Sequence, residues 1–376
     1  MRYNNALLSL VPLLPSSSPP ASHVAAPANS PTASTASSSH VYADNAHTAV
    51  NVLQDKYYNT ATGLWKGETH DLWWESGNLL ETIARYGQVD ESFKPTAVNI
   101  IENTFSKAPN QQGAKNWLNE FYDDMGWWAL GWIASYDLTG DAKYLDTAKY
   151  IFEDMTGGWT TPCGGGIWWD KSKTSVNAIA NELFISVAAH LANRVPPAES
   201  INYMNWAEAD WEWFWRSGMI NSDWLINDGL DLTTCKNNGK WTFTYNQGVI
   251  LGGLSELSIA RHDGGYIDVA NELIAGSFSK LAPDGILTEP VEGDLGEQGA
   301  MFKGAYIRGL ATLNSQIHSP EYTDFFKKNA ESLWSNAVNA DGVIEDRWQG
   351  GSSEVSFPSH GAGLDVLVAA GAAALF

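Results

Sequence analysis

A chain of 376 residues that is 44% hydrophobic and carries 18 Trp can bury a large core, which excludes disorder of the whole chain. Its formal charge of -21 would be repelled by nucleic acid and by anionic membrane surfaces, so neither is an expected partner and a neutral or cationic ligand fits better. Two cysteines are too few for a disulfide scaffold or a four-Cys zinc site, and the eight His form no metal-spaced cluster, so no metal and no cofactor is expected.

In chain order, residues 1–22 read as a short signal peptide: one Arg, an apolar run from Ala6 to Leu14 broken by Pro12, then small residues. The expected location is therefore extracellular, compatible with cell-wall association. No run is long and apolar enough to span a bilayer. The tail from Val366 to Phe376 is apolar but lacks the polar spacer of a lipid-anchor signal. Residues 23–40, mostly Ser, Pro, Ala and Thr, predict a disordered linker. One globular domain, 41–376, follows, with a monomer as the default.

Apolar residues at three-to-four spacing predict helices near 42–57, 77–87, 92–106, 122–138, 142–155, 176–193, 200–216, 244–261, 266–280, 301–314, 320–336 and 360–375. No long run alternates as a strand would. A weak repeat supports helical hairpins. Thr139-Gly140-Asp141-Ala142-Lys143-Tyr144 resembles His262-Asp263-Gly264-Gly265-Tyr266, and His318-Ser319-Pro320-Glu321-Tyr322 is a third copy. Each joins a helix stop to a new start: Gly140 suits a left-handed end, Asp141 and Ser319 suit N-caps, and Pro320 suits the first helical position. About a dozen helices in hairpins predict an all-α fold, six hairpins closed in an (α/α)6 barrel. An open solenoid is the alternative, disfavoured by the weak repeats and the varied loops.

Polar and aromatic clusters recur just before or at the start of every second helix. They are Trp73-Trp74-Glu75-Ser76-Gly77-Asn78, Tyr122-Asp123-Asp124, Gly164-Gly165-Gly166-Ile167-Trp168-Trp169, Asn227-Asp228-Gly229 with Tyr245-Asn246-Gln247, and Glu289 with Phe302-Lys303. In a closed ring these ends would meet at one face. Trp supplies flat apolar faces, while amides and carboxylates bond hydroxyls, the parts of a sugar site. Asn177 and Asn181 share one helix face. Trp127, Trp128 and Trp132 lie at helical spacing, which puts at least two in the core; Trp128 stays a candidate platform. The Gly164–Gly166 run is a turn and not a phosphate cradle, since no Gly-Lys-Ser/Thr follows.

Asp123 and Asp124 are the candidate catalytic residues. Capping and the helix dipole explain one Asp but explain two less well, because the second adds repulsion. Neighbouring Cα atoms lie about 3.8 Å apart. Adjacent carboxyls can then approach the ~5–5.5 Å separation of retaining glycosidases more easily than the ~6.5–9.5 Å of inverting ones. Repulsion raises one pKa and separates an ionised nucleophile from a protonated acid/base. The residues alone do not say which Asp is which.

These motifs, together with Asn177-Ala178-Ile179-Ala180-Asn181-Glu182-Leu183-Phe184 and Asn227-Asp228-Gly229-Leu230, resemble glycoside hydrolase family 76, the endo-α-1,6-mannanases, in their secreted fungal branch. The resemblance runs from about Ala43 to the C-terminal helix. It implies an (α/α)6 barrel, retaining cleavage of α-1,6-linked mannan, Asp123 as nucleophile and Asp124 as acid/base. It implies a Cys163–Cys235 disulfide, as secretion also leads one to expect; such a bridge is worth ~4 kcal/mol in a chain-entropy model. The candidate substrate contacts, taken from the clusters and motifs above, are Trp74, Asn78, Tyr122, Trp128, Trp168, Trp169, Asn181, Asp228, Tyr245, Asn246, Gln247, Glu289, Phe302 and Lys303. The chain departs from the pattern at Val291 and Leu295, where a second cysteine pair is expected, at Glu75, where a smaller polar residue is expected, and at Met125, where an acid is common. Alternatives are a mannosyl transglycosylase in wall assembly using the same pair, a mannan-binding protein without turnover, and, less favoured, a metal-dependent mannosidase.

Overall fold

The computed structural model describes residues 33–374, apart from 292, 294 and 352–354. The signal-peptide stretch 1–22 lies outside the described residues. So does most of 23–40, although the first helix reaches back to Ala33.

The helices are α1 (Ala33–Tyr57), α2 (Trp73–Val89), α3 (Lys94–Lys107), α4 (Tyr122–Thr139), α5 (Ala142–Thr156), α6 (Ala178–Ala192) and α7 (Pro197–Ser217). They continue with α8 (Thr244–Arg261), α9 (Gly265–Leu281), the single turn α10 (Gly296–Gly299), α11 (Phe302–Ile317), α12 (Pro320–Asn336) and α13 (Phe357–Ala373). Sheet structure among the described residues is small. β1 (Tyr58–Asn59), β2 (Leu64–Lys66) and β3 (Asp71–Leu72) form an antiparallel ribbon, and β4 (Leu230–Asp231) pairs with β5 (Lys236–Asn237).

Helices α2, α4, α6, α8, α11 and α13 each pack on the next, and α13 packs back on α2. That last contact closes the ring, so the fold is an (α/α)6 barrel and not an open solenoid. The remaining long helices lie outside it: α3 on α2, α5 on α4 and α6, α7 on α6, α9 on α8, and α1 and α12 on α13. Composition explains the two layers. Every residue of α6 is buried, as an inner helix covered on all sides requires, whereas α3 buries only Ala97, Ile100, Ile101 and Thr104, one stripe at helical spacing. The three repeated junctions end on left-handed residues, Gly140, His262 and His318, and the side chains of Asp141 and Ser319 cap the helices that follow.

The inner helices run in parallel. Gly126 near the start of α4 lies against Leu183 near the start of α6, and Gly248 near the start of α8 lies on the backbone of Tyr306 near the start of α11. A Cβ at Gly248 would sit 2.1 Å from the Tyr306 Cα, so these two helices touch main chain to main chain. All the inner N-termini therefore open on one face. Below that face, on the axis, Arg308 bonds Glu81 at 2.9 Å and Asp365 at 2.6 Å, and it also bonds Asn78. A second ionic group of Arg194, Glu256, His190 and Asp137 lies beyond it.

Candidate active site

The turn before α4 positions the acidic pair. Phe121, the N-cap residue, is extended and provides no side-chain cap. The Tyr122 N–H donates to the Trp169 carbonyl at 2.9 Å, which ties the start of α4 to the loop after the Gly164–Gly166 turn. Asp123 and Asp124 follow in the first turn, where the positive end of the helix dipole favours negative charge. Both are partly exposed.

Their surroundings differ. Asp123 Oδ2 accepts from Trp169 Nε1 at 2.9 Å, and its Oδ1 accepts from the Asp124 backbone N–H at 3.0 Å. Asp124 Oδ2 accepts from Asn119 Nδ2 at 2.6 Å. Burial pushes the Asp123 carboxyl up to about 6, with the bonds from Trp169 and Asp124 opposing and the charge of Asp228 adding to the rise. Asp124 is pushed well above the usual carboxylate range, first by burial, then by the charge of Asp123, with Glu75 adding to it. The two donors on Asp123 favour its ionised form, and Asp124 is the carboxyl that keeps a proton. No cation is paired with either among the described residues.

The candidate contact residues divide into two groups. Trp74, Trp169, Asp228, Tyr245 and Phe302 keep part of their surface open. Tyr245 and Phe302 stack at 4.1 Å with planes 6° apart. The Tyr245 phenol is held protonated by burial and by the charges of Asp228, Asp123, Glu182 and Glu289, which places it among these carboxyls. Asp228 accepts from Asn177 Nδ2 at 3.2 Å, and its carboxyl is raised by burial.

The second group braces the site from beneath. Trp128 is fully buried against Trp73, Trp117 and Trp132, so it is core and not a platform. Its loss should cost roughly 3–5 kcal/mol, as for other core aromatics. Asn181 grips the glycine turn, accepting from Ile167 N at 2.7 Å and donating to Ile167 O at 3.2 Å. Gln247 does the same for the loop before β4, bonding Ile226 N and O at 2.8 and 2.9 Å. Asn78 holds Arg308, and fully buried Asn246 lies against Asp228, whose ionised form its amide favours. Tyr122 and Trp168 are also buried, and Trp168 Nε1 donates to Thr160 Oγ1 at 3.0 Å. Glu289, itself partly open, receives the Thr244 N–H at 3.1 Å and the Thr244 hydroxyl, so it caps α8. Lys303, buried, donates to the Asp346 carbonyl with its ammonium 4.4 Å from the Trp348 ring, and burial lowers it to about 8. Both line a cavity of about 530 Å³ with Thr288, Arg347 and Gln349.

Two further site residues were not among the sequence candidates, although Glu182 lies inside the Asn177-to-Phe184 motif. Asn119 reaches Asp124 across a turn, and Glu182 is fully buried with neither carboxyl oxygen partnered. Cys163 and Cys235 form the expected disulfide, with Cα atoms 5.3 Å apart, which anchors the β4–β5 hairpin to the glycine turn. No metal-ligand group of three or more His, Cys, Asp or Glu occurs among the described residues.

The sequence model of glycosyl hydrolase family 76 matches residues 41–369. Mannan endo-1,6-alpha-mannosidase DCW1 of Candida albicans is 24% identical over 202 residues, 49% of this chain and 44% of that protein. DFG5 of Saccharomyces cerevisiae, described by the same activity, is 26% identical over 231 residues, 56% of this chain and 50% of that protein. The chain thus spans about half the length of the curated relatives it matches. An inactive α-1,6-mannanase variant of a Salegentibacter species, with two consecutive Asp changed to Asn and α-1,6-mannotriose bound, superposes with TM-score 0.76 at 23% identity, over 88% of this chain and 99% of that one. Dfg5 of Chaetomium thermophilum, solved with glucosamine, gives 0.77 at 20% identity, over 89% and 90%. At these identities the structural likeness speaks for the fold alone.

Proposed function

The chain belongs to glycosyl hydrolase family 76, and on that premise we propose that it cleaves α-1,6-mannosidic bonds within mannan, with retention, by double displacement on Asp123 and Asp124. The observation that carries this reading is the unequal pair. Asp123 has two hydrogen-bond donors and the lower pKa, and Asp124 lies beside it with its proton retained.

An Asp123 oxygen attacks the anomeric carbon as the glycosidic C–O bond breaks. Asp124 passes its proton to the departing oxygen. Water then attacks the glycosyl-enzyme, Asp124 takes the water proton, and the bond to Asp123 breaks. Trp74, Trp169, Tyr245 and Phe302 offer apolar ring faces to sugars and Asp228 offers a hydroxyl acceptor. The mannotriose complex of the Salegentibacter relative supports the substrate class, and that relative's inactivity after loss of two adjacent Asp supports the roles. The domain is 41–376, secreted and monomeric on this reading. A disulfide fits an oxidising compartment, and no described helix is long and apolar enough to cross a membrane.

A second outcome uses the same intermediate. The cavity of about 530 Å³ beside Glu289 and Lys303 has room for an acceptor sugar, whose hydroxyl would replace water. The test is linear α-1,6-mannan with wild type, Asp123→Asn and Asp124→Asn, products resolved by size. Short oligosaccharides from wild type only support hydrolysis; longer products on adding acceptor support transfer. Intact mannan under both conditions would sink both readings.

A further inference from the structure

The segment before α8 reads Trp241-Thr242-Phe243-Thr244-Tyr245, an aromatic ring at every second residue. The rings form a continuous series. Trp241 lies 5.9 Å from Phe243 with planes 24° apart, Phe243 lies 5.8 Å from Tyr245 and 5.4 Å from Phe302, and Tyr245 stacks on Phe302. The inner end is at the reaction centre, since Tyr245 feels the charges of Asp123 and Asp228. The outer end is in solvent.

Of the 18 Trp, all within described residues, only Trp215 and Trp241 are exposed, at 45% and 53%. Trp215 is on outer helix α7 and packs against Trp211 and Trp224. Trp241 differs, because its main chain is fixed while its indole, with Phe243 as its one ring neighbour among the described residues, is the more exposed of the two. Its carbonyl accepts from the Asp228 N–H at 2.8 Å, and the Lys240 carbonyl before it accepts from Asn227 Nδ2. The β4–β5 hairpin alongside is held by the Asn238 N–H to the Gly229 carbonyl at 3.0 Å and by the Cys163–Cys235 bridge. An exposed indole on a pre-ordered backbone gives up little conformational freedom on binding, which favours recognition over a packing role.

We propose that Trp241 is an outer sugar platform of the cleft, two ring steps from Tyr245, that stacks a pyranose of a longer chain and sets the preference for polymer over short oligosaccharide. The inference rests on the mannanase reading. Phe243 relays the position of Trp241 to the Tyr245–Phe302 stack, so the ring series marks the direction in which the glycan leaves the reaction centre.

The test compares wild type, Trp241→Ala and Trp241→Phe on long linear α-1,6-mannan and on α-1,6-mannotriose, with the thermal midpoint of each as a folding control. Trp241→Ala should lower kcat/KM on mannan roughly tenfold through KM, the size of one lost ring contact. The trisaccharide, which lays fewer sugars along the ring series, should be affected far less, and Trp241→Phe should recover most of the loss. An unchanged KM on mannan, or equal losses on both substrates, overturns the inference. If wild type cleaves neither, the mannanase reading fails, and retardation in gels containing mannan decides the platform by itself. Weaker retardation of Trp241→Ala upholds it, and equal retardation overturns it.

Discussion

The barrel holds two groups of buried or half-buried acids, and they are treated in opposite ways. On the axis, burial opposes ionisation of Glu81, yet Arg85 and Arg308 outweigh it and hold the carboxyl below its usual range. Glu256 is likewise held down against burial by His190 and Arg194. Asp365, which shares Arg308 with Glu81, is the exception: burial outweighs the shared cation and its carboxyl stays up at about 6. At the N-terminal face, Asp123, Asp124, Glu75 and Glu182 are all raised, with burial as the first cause. Paired with guanidinium, a buried carboxylate is a fixed joint between helices. Supplied only with neutral donors, it keeps a proton within reach of neutral pH and can exchange it.

The largest effect that would break this contrast is on the pair. Asp123→Asn and Asp124→Asn should each lose about 10³-fold or more in kcat on mannan, with the thermal midpoint unchanged or raised. A modest loss would show that the unpaired acids are not the chemical centre. On the axis the reverse should hold. Arg308→Met leaves Asp365 buried without its cation and Glu81 with Arg85 alone, and should cost about 3–5 kcal/mol in denaturant unfolding, while folded protein still turns over. Normal stability in that variant would remove the distinction.

Two smaller effects sharpen it through pH. Glu182 has a folded pKa raised by burial and by the charge of Asp228. The unfolded chain releases that proton first, so its stabilising share is present below about pH 4.3 and is lost as pH rises through the folded value. Glu182→Gln should flatten the decline in stability above about pH 4.3, measured by unfolding at several pH values; an unaltered slope would mean that Glu182 is solvated. The smallest effect is kinetic. The acid limb of kcat/KM should follow Asp123 near about 6, and the alkaline limb should follow Asp124. Glu75, itself pushed to about 8 by burial, adds to the rise of Asp124, so Glu75→Gln should move the alkaline limb to lower pH. An unmoved limb would uncouple the two.

What could be read from sequence follows from range. Helices α3, α5, α9 and α12 carry amphipathic stripes, and their predicted limits fall within a few residues of those observed. Helix α13 begins at Phe357, three residues before the predicted start, because Pro358 sits in its first turn, where proline is tolerated and not a break. Helix α2 begins four residues before the predicted start, at Trp73, so the Trp-Trp-Glu-Ser cluster forms its first turn. The small strands and α10 were too short to show a period.

At the site, the Asp pair was visible because two acids before an apolar helix need a reason. The bracing roles of Asn181, Gln247, Glu289 and Lys303 were not visible. Each depends on a loop 14 to 45 residues away, and a buried amide or carboxylate looks the same in sequence whether it holds a loop or a ligand. Closure of α13 on α2 and the bond from Arg308 to Glu81, 227 residues apart, lie beyond any local pattern.

The division of labour within the pair is the central claim, and azide trapping tests it most directly. Asp124→Ala and Asp123→Ala would each be given a dinitrophenyl α-1,6-mannobioside with azide, and the anomeric configuration of the glycosyl azide read by NMR. The account predicts the α-azide from Asp124→Ala, formed through the ester on Asp123, and the β-azide from Asp123→Ala by direct displacement. The opposite pattern, or the same configuration from both, would contradict it.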